Sequence, residues 1–412
     1  MPVFGLHIRI LGVALAAFVV VAEVAYADPT PDFFVLLERA KAAPRISAGE
    51  AEVAAAEARA LQAEVGPNPS LSLEVENFGG KGLYQGTDAS ETTLSIGQLL
   101  ELGGKREARI AAASLEAQAV RAQQTRNTSD FAAELAVAYA RAEASAELAK
   151  LTAEAVGLAE GDAKTTRALV DSGREAELRF VQASAELARV RAELVQARAA
   201  EASAFARLTA FAGSKTPFDS IAVSLLSREP RATAVAGGTA PAVAVAQAES
   251  RAASAKVTIE ERRWIPDITI TGGVRSFAST DETAVVAGLS IPLPLFDQNR
   301  GGSAAARSEA LAASLRLERA QSEADADRRA ALAGLAAASQ FLSAQLEVER
   351  ASAEAYRLAQ VGYEAGRVPL LELASVRRSL IETRRQTINI RLARVAAEAE
   401  AARVTGRLPF GE

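Results

Sequence analysis

The side chains that could carry out chemistry in this 412-residue chain are almost entirely charged ones. There are 46 lysines and arginines and 51 aspartates and glutamates, against one histidine (His7), one methionine (Met1) and no cysteine. Both exceptions fall in an N-terminal segment that we expect to be removed, so the mature chain would lack thiol and imidazole catalysis, disulfides and soft-ligand metal sites. A carboxylate enzyme would need two acids converging in a pocket, and no segment predicts one. We therefore expect no catalytic residue, no metal ligand and no cofactor.

Alanine dominates the composition and indicates which elements must carry these charges. The chain has 95 alanines, and only 5% of its residues are aromatic. The large apolar residues of a thick globular core are scarce, whereas alanine with glutamate and arginine favours long, closely packed helices. The net charge is −5 and both signs are interspersed, so nucleic acid is not an expected partner.

The N-terminus has the features of a secretory signal peptide. Arg9 precedes a nearly continuous apolar stretch, and Ala25-Tyr26-Ala27 provides a small-x-small cleavage site. The apolar stretch is about 12 residues, short of the roughly 20 that a membrane-spanning helix needs. We predict export with cleavage after Ala27. Because no cysteine follows, no lipid is expected at a cysteine.

Three signals recur in the same order at nearly constant separation, which indicates an internal repeat. The separations are 197, 194 and 193 residues. The matching pairs are Pro69 and Pro266, Arg106 and Arg300, and the dipeptides Gly173-Arg174 and Gly366-Arg367. We therefore divide the chain into a signal peptide (1–27), a first repeat (28–213), a linker or equatorial region (214–240) and a second repeat (241–412).

Each repeat is predicted to contain the same elements. An opening helix precedes two segments of alternating polar and apolar residues, which are typical of strands. The predicted strands cover about 70–78 and 91–100 in the first repeat, and about 267–275 and 283–293 in the second. Long helical hairpins follow, at about 104–212 and 302–404. The returning helix of each hairpin is shorter than the outgoing one, so we expect the opening and returning helices to stack end to end beside one unbroken long helix.

The predicted strands have one apolar face and one face of serine, threonine and glutamate, including Glu74 and Glu76. Four strands are too few for a barrel, whereas three chains would supply 12. An apolar exterior with a polar lumen is typical of a membrane barrel, and the alternative is a soluble sandwich that buries its apolar face. The flanking aromatic residues fit either an interfacial girdle or ordinary packing; they are Phe78, Tyr84, Trp264 and Phe277.

The junction from strand to long helix carries a family resemblance. The two junctions read Gln98-Leu99-Leu100-Glu101-Leu102-Gly103-Gly104-Lys105-Arg106 and Pro292-Leu293-Pro294-Leu295-Phe296-Asp297-Gln298-Asn299-Arg300. With the two-copy layout, residues 31–408 resemble the TolC-like outer-membrane efflux proteins, and most of all their CzcC-like heavy-metal branch. The resemblance implies a mainly α fold with a small β part. In it, a homotrimer closes a 12-stranded barrel in outer-membrane lipid and continues into a periplasmic α-helical barrel.

The same resemblance implies a function, partners and site residues. It implies a passive conduit that exports substrates, divalent heavy-metal cations in this branch, together with a periplasmic adaptor and an inner-membrane resistance-nodulation-division pump. The hairpin turns at Gly173-Arg174 and Gly366-Arg367 would meet the adaptor. Glu372 matches the first of two acids that ring the periplasmic aperture in the family, whereas Ser375 replaces the second. Tyr363 matches a tyrosine that holds the closed state in some relatives, although packing between helices explains it equally well.

Other classes of function remain open at this point. A TolC-like channel could instead export drugs or other small molecules. A periplasmic adaptor also combines long helices with strands, but usually has one hairpin where this chain has two. A coiled-coil scaffold without a pore would need sustained heptads of leucine or isoleucine, and the helices here are mostly alanine.

Overall fold

The computed structural model describes residues 28–229 and 239–411. The predicted signal peptide with its cleavage site, and residues 230–238 of the predicted linker, lie outside the described residues. Within them the protein is mainly helical with two small sheets, which confirms the predicted fold class. The helices are α1 (Phe33–Ala40), α2 (Pro44–Ala63), α3 (Lys105–Asp171), α4 (Glu177–Phe211), α5 (Pro241–Arg262), α6 (Arg300–Glu364) and α7 (Leu370–Thr405).

The strands form a four-stranded antiparallel sheet and a small parallel pair. The strands are β1 (Asp28–Thr30), β2 (Ser70–Glu76), β3 (Glu91–Leu100), β4 (Phe218–Ile221), β5 (Ile268–Phe277) and β6 (Glu282–Ser290). The larger sheet has the order β2-β3-β5-β6, so the strands of the first repeat pair with those of the second through β3 and β5. β1 pairs with β4.

Two predicted strands end earlier than the alternation of residues indicates. β2 stops at Glu76 rather than at residue 78, because Asn77 adopts a left-handed backbone with φ of 55° that leaves the extended conformation. β6 stops at Ser290 rather than at residue 293. Pro292 and Pro294 have no N–H to donate to a neighbouring strand, so the apolar alternation continues there without a sheet ladder.

The helices confirm the predicted end-to-end arrangement. α3 is continuous over 67 residues and α6 over 65. At the middle of α3 the ring of Phe131 stacks on that of Phe211, the last residue of α4, with centroids 5.0 Å apart. The guanidinium carbon of Arg45, near the start of α2, lies 5.9 Å and 5.6 Å from the same two ring centroids. The two shorter helices therefore meet end to end beside α3, and a cation–π contact covers the joint.

Ion pairs tie α3 to the second repeat along its whole length. The pairs, in order along α3, are Lys105–Asp267 at 2.9 Å, Glu116–Lys256 at 3.6 Å, Asp130–Arg403 at 3.3 Å, and Asp162–Arg377. α3 thus packs between α2 and α4 on one side and α5 and α7 on the other. α6 lies beyond α5 and α7, at the edge of the helical layer.

The main core lies where α1 and the segment after α4 cover the middle of α3. The hydroxyl of Tyr139 donates to the Val223 carbonyl at 2.7 Å. The buried carboxylate of Glu143 accepts from the backbone N–H groups of Leu225 (2.9 Å) and Leu226 (3.2 Å). These bonds satisfy backbone groups of an irregular segment that would otherwise be buried without partners. Part of the predicted linker is therefore an ordered belt against the first repeat.

No helix in the part of the chain that the structure describes is long and apolar enough to cross a membrane.

Candidate functional site

The polar face of the four-stranded sheet holds the two glutamates that the sequence singled out. Glu74 lies opposite Thr93, and Thr93 lies opposite Arg275 on the next strand. The Arg275 guanidinium contacts the carboxylates of Glu76 (3.1 Å) and Glu91 (2.9 Å) and donates to the Thr93 hydroxyl at 2.9 Å. Glu76 is therefore neutralised by an arginine of the second repeat. Glu74 makes no side-chain ion pair or hydrogen bond within the described residues and presents a free carboxylate.

The opposite face of the sheet is apolar and exposed. Cross-strand register aligns Leu73, Leu94, Val274 and Val285 in one row across all four strands. Val285 is 85% exposed, and the other three side chains are each at least half exposed. A row of large apolar side chains facing outward on every strand is costly in water, at about 25 cal/mol per Å² of apolar surface. This face therefore needs an apolar medium or a partner to cover it.

The two hairpin turns are built alike. In each, a glycine with left-handed backbone ends the outgoing helix, with φ of 72° at Gly173 and 68° at Gly366. The N–H of the following arginine closes a six-residue turn, from Arg174 to the Leu169 carbonyl at 2.9 Å and from Arg367 to the Gly362 carbonyl at 2.8 Å. This bonding satisfies the last carbonyls of α3 and α6. Both arginine side chains are exposed, and within the described residues neither has an ion-pair partner.

The start of α7 separates its polar and apolar residues by face. Glu372 and Ser375 are exposed and three residues apart, so they lie on one side of the helix. Leu373 and Leu380 are buried on the other side. The structure therefore places Glu372 and Ser375 together on the free surface of α7, close to the turn. Tyr363 is half-buried in the last turn of α6, and its hydroxyl makes no hydrogen bond to Glu372 or to any other described residue.

An ion pair that sequence reasoning missed lies behind this surface. Arg377 of α7 forms a two-pronged contact with the carboxylate of Asp162 on α3, in which Nη1 is 3.2 Å from Oδ1. The side chains are only 11% and 22% exposed. Burial lowers the pKa of Arg377, and the neighbouring Arg378 acts in the same direction. The two residues are 215 positions apart, and no local pattern marks either one.

In the described ranges, 28–229 and 239–411, no group of three or more histidine, cysteine, aspartate or glutamate side chains is arranged to hold a metal ion.

Comparison with known proteins identifies a family and several relatives. The sequence profile described as "outer membrane efflux protein" matches residues 36–214 and 236–407. The nickel-cobalt-cadmium resistance protein NccC of Alcaligenes xylosoxydans xylosoxydans is 41% identical over 391 residues, which cover 94% of this chain and 89% of that protein. The nickel and cobalt resistance protein CnrC of Cupriavidus metallidurans is 41% identical over 404 residues, covering 97% and 96%.

A solved structure gives an independent test of the fold. The outer membrane channel MtrE of Neisseria gonorrhoeae, in its open state, superposes with a TM-score of 0.78. The match covers 92% of this chain and 89% of that one at 20% sequence identity. At that identity the likeness concerns the fold alone.

Proposed function

The chain belongs to the outer membrane efflux protein family, and from this membership we propose that it is the outer-membrane channel of a heavy-metal efflux system. The family is one of transport proteins rather than enzymes. The proposed cargo is divalent metal cations, because the relatives at 41% identity are named for resistance to nickel, cobalt and cadmium. We propose that the protein acts as a passive conduit from the periplasm to the exterior.

The observation that carries the proposal is the four-stranded sheet with its two unlike faces. One face is an exposed row of leucine and valine side chains; the other carries Glu74, Glu76, Glu91, Thr93 and Arg275. A sheet that is apolar on the outside and polar on the inside suits a barrel wall between lipid and water. The described helices are rich in alanine and charged residues, which argues against a soluble sandwich that would bury the outer face against them.

A homotrimer is the proposed assembly. β2 and β6 are the edges of the sheet and leave a row of backbone groups without partners on each side. If β6 of one chain pairs with β2 of the next, three chains close a barrel of 12 strands and remove every edge. α6 and the stacked pair α2 and α4 are the corresponding edges of the helical layer, and the same three-fold arrangement would join them into a tube.

The proposed transport path avoids strong metal ligands. Beyond residue 7 the sequence has no histidine, methionine or cysteine, and a conduit must bind its cargo weakly enough to release it. In a trimer the exposed Glu372 would form a ring of three carboxylates at the periplasmic mouth, which would concentrate cations there. Ser375 adds no second ring, so the electrostatic constriction would be single.

The proposed partners are a periplasmic adaptor and an inner-membrane pump of the resistance-nodulation-division class. The adaptor would dock on the hairpin turns, where Arg174 and Arg367 are exposed and without ion-pair partners among the described residues. Membership of this family places the protein in the outer membrane. We further propose that it is exported by a signal peptide cleaved after Ala27.

The proposed function can be tested in cells and in lipid bilayers. Deletion of the gene should sensitise the host to nickel, cobalt or cadmium, and the wild-type gene should restore growth. Sensitivity to drugs alone would refute the metal assignment. In planar bilayers the purified protein should form cation-selective pores, and Glu372→Gln should lower the cation-to-anion permeability ratio. The matched control Ser375→Ala changes the same helix face without changing charge and should leave the ratio unaltered.

A further inference from the structure

The segment from Ile291 to Phe296, which joins β6 to α6, is the most exposed apolar stretch in the described part of the protein. Leu293 and Leu295 are each 71% exposed and Phe296 is 99% exposed. No residue from 291 to 296 carries a charge. Its one hydrogen bond in the described structure is internal, from the Leu295 N–H to the Leu293 carbonyl at 2.9 Å. The segment thus leaves the sheet without any polar attachment to the rest of the chain.

The corresponding junction of the first repeat is built differently. There the N–H of Leu102 donates to the Asp267 carboxylate at 3.1 Å, and Lys105 pairs with the same carboxylate at 2.9 Å. Glu101 pairs with Arg109 on α3. Leu102 is 37% exposed, whereas Phe296, its counterpart when Arg106 is matched with Arg300, is 99% exposed. The repeat therefore places two junctions at the same end of the sheet. The first is held by charges next to the sheet, whereas the second is free of polar contacts to the rest of the chain over residues 291–296 and is tied only further on, where Asn299 Nδ2 donates to the Glu260 carboxylate at 2.6 Å.

The exposed side chains of the free junction continue the apolar face of the sheet. Val285 and Leu289 face outward on β6, and Ile291 and Leu293 keep the same alternation beyond its end. Pro292 favours an extended backbone, which preserves that alternation without a pairing strand as far as Leu293. The chain then turns at Pro294, where the Leu295 N–H bonds back to the Leu293 carbonyl. Trp264 lies on the connection into β5, at the same end of the sheet, and is half exposed. The outer apolar face therefore extends past the sheet toward the helices.

The length of β6 indicates the depth of this extension in a membrane. Nine residues at about 3.3 Å each, tilted by about 40°, span roughly 23 Å along the membrane normal. This nearly fills the apolar band of about 25 Å that outer-membrane barrels present to lipid. Residues 291–296 would then lie just beyond the band, at the headgroup level, where aromatic residues are favoured.

We propose that residues 291–296 form an interfacial anchor that inserts into the periplasmic leaflet of the outer membrane and fixes the height of the sheet in the bilayer. The occupant of this surface is lipid. The inference rests on the proposed function, because it requires the apolar face of the sheet to contact lipid. The strand register puts the junction of the first repeat at the same level, but it carries Glu101 and Lys105 instead of an uncharged apolar segment, so each chain would have one anchor, and a trimer three.

Depth-dependent fluorescence quenching in proteoliposomes tests the anchor on the full-length protein. Trp264 is the single tryptophan of the chain, so a Trp264→Phe background allows one reporter at a time. The reporters are Phe296→Trp in the anchor, Val274→Trp at the middle of β5, and Leu358→Trp on α6. Residue 358 lies 58 residues after the start of α6 and therefore roughly 87 Å along the helix from the sheet. Phosphatidylcholine brominated near the carbonyl end, or near the terminal methyl, is the quencher.

The anchor predicts that Phe296→Trp loses fluorescence most with bromines near the carbonyl end and has a blue-shifted emission. Val274→Trp should respond most to bromines near the terminal methyl, and Leu358→Trp to neither. If Val274→Trp is quenched but Phe296→Trp is not, the anchor is refuted while the proposed barrel stands. Aqueous iodide distinguishes the two ways in which this could happen: quenching by iodide would show that residue 296 faces water, and no quenching by iodide or bromine would show that a neighbouring chain covers it. Either result refutes the anchor. If Val274→Trp is not quenched, the proposed membrane barrel fails as well.

Discussion

Substitution of Arg377 tests whether α7 is held to α3 by a buried ion pair. Arg377 and Asp162 join the two repeats nine residues before the end of α3 and seven after the start of α7. At 1.5 Å per residue the pair lies about 10–14 Å from the hairpin turns. Arg377→Met keeps most of the side-chain volume and removes the charge, which leaves the Asp162 carboxylate largely buried without a cation.

The expected loss of stability follows from the burial of the ion pair. Removing one partner of a buried ion pair destabilises by roughly 3–5 kcal/mol, since the remaining charge is left uncompensated. Asp162 keeps 22% of its side-chain exposure, so we take the lower end, about 3 kcal/mol. With about 1.4 kcal/mol per tenfold change, local opening of the hairpin ends should become about 100-fold more frequent. Replacing both partners, with Arg377→Met and Asp162→Asn together, should restore most of the loss because no buried charge remains.

Hydrogen exchange of the detergent-solubilised full-length protein, read by mass spectrometry, measures this opening. Amides in residues 160–175 and 365–380 should exchange about 100-fold faster in either single variant and much closer to wild type in the double variant. The control is Arg191→Met, which breaks the exposed Glu160–Arg191 pair of 2.7 Å between α4 and α3. Exposed pairs contribute about 0–1 kcal/mol, so the control should change little. Equal effects of Arg377→Met and Arg191→Met would refute the reasoning, as would a double variant no better than the single ones.

Two further substitutions test backbone conformation and buried charge. Gly366→Ala forces a side chain into a left-handed backbone and should destabilise the protein by about 1–2 kcal/mol. Gly161→Ala, in open space on α3, should instead stabilise it by about 0.5–1 kcal/mol. Thermal unfolding of the two variants should therefore show Tm changes of opposite sign. Burial, with the nearby Glu143, raises the pKa of Glu147, so its carboxylate form is unfavourable in the folded state at neutral pH. Glu147→Gln should therefore raise Tm at pH 7, and the gain should disappear as the pH falls and the carboxyl becomes protonated in both states. Glu154→Gln, which removes one carboxylate from an exposed position on the same helix, is the matched control.

The sequence was sufficient for the repeat, the long hairpins and the strands. Those features depend on local signals: alternation of apolar residues, absence of proline over long stretches, and glycine where the backbone turns. The strand ends show the limit of alternation alone. At Ile291 and Leu293 the apolar alternation continues, but the adjacent prolines lack the N–H donors that a strand needs. The predicted strand was therefore longer than the strand in the structure.

The belt around the middle of α3 could not be predicted in the same way. α1, β1 and β4 are short, and their stability comes from residues far away in sequence. Phe33 packs edge-on against Phe410, with ring centroids 5.2 Å apart, although the two lie at opposite ends of the chain. The Asp162–Arg377 pair likewise joins two residues that are far apart in sequence. Contacts of this kind depend on how segments that are distant in sequence pack against each other, and no local period in either segment records that packing.

The two repeats are alike in backbone and unlike in burial, and this difference indicates where a neighbouring chain would bind. α3 and α6 differ by two residues in length, yet α3 buries 21 residues whereas α6 buries only Ala306, Ala313 and Gln345. α3 lies between the helices of both repeats, and α6 has neighbours on one side only. Its exposed side chains include Leu311, Leu315 and Phe341, which an isolated chain would leave in water. The helical edge formed by α6 and the sheet edge formed by β6 belong to the same repeat. A neighbour that completes the sheet is thus also in position to cover these side chains, so closure of the sheet and closure of the helical layer would occur in one association.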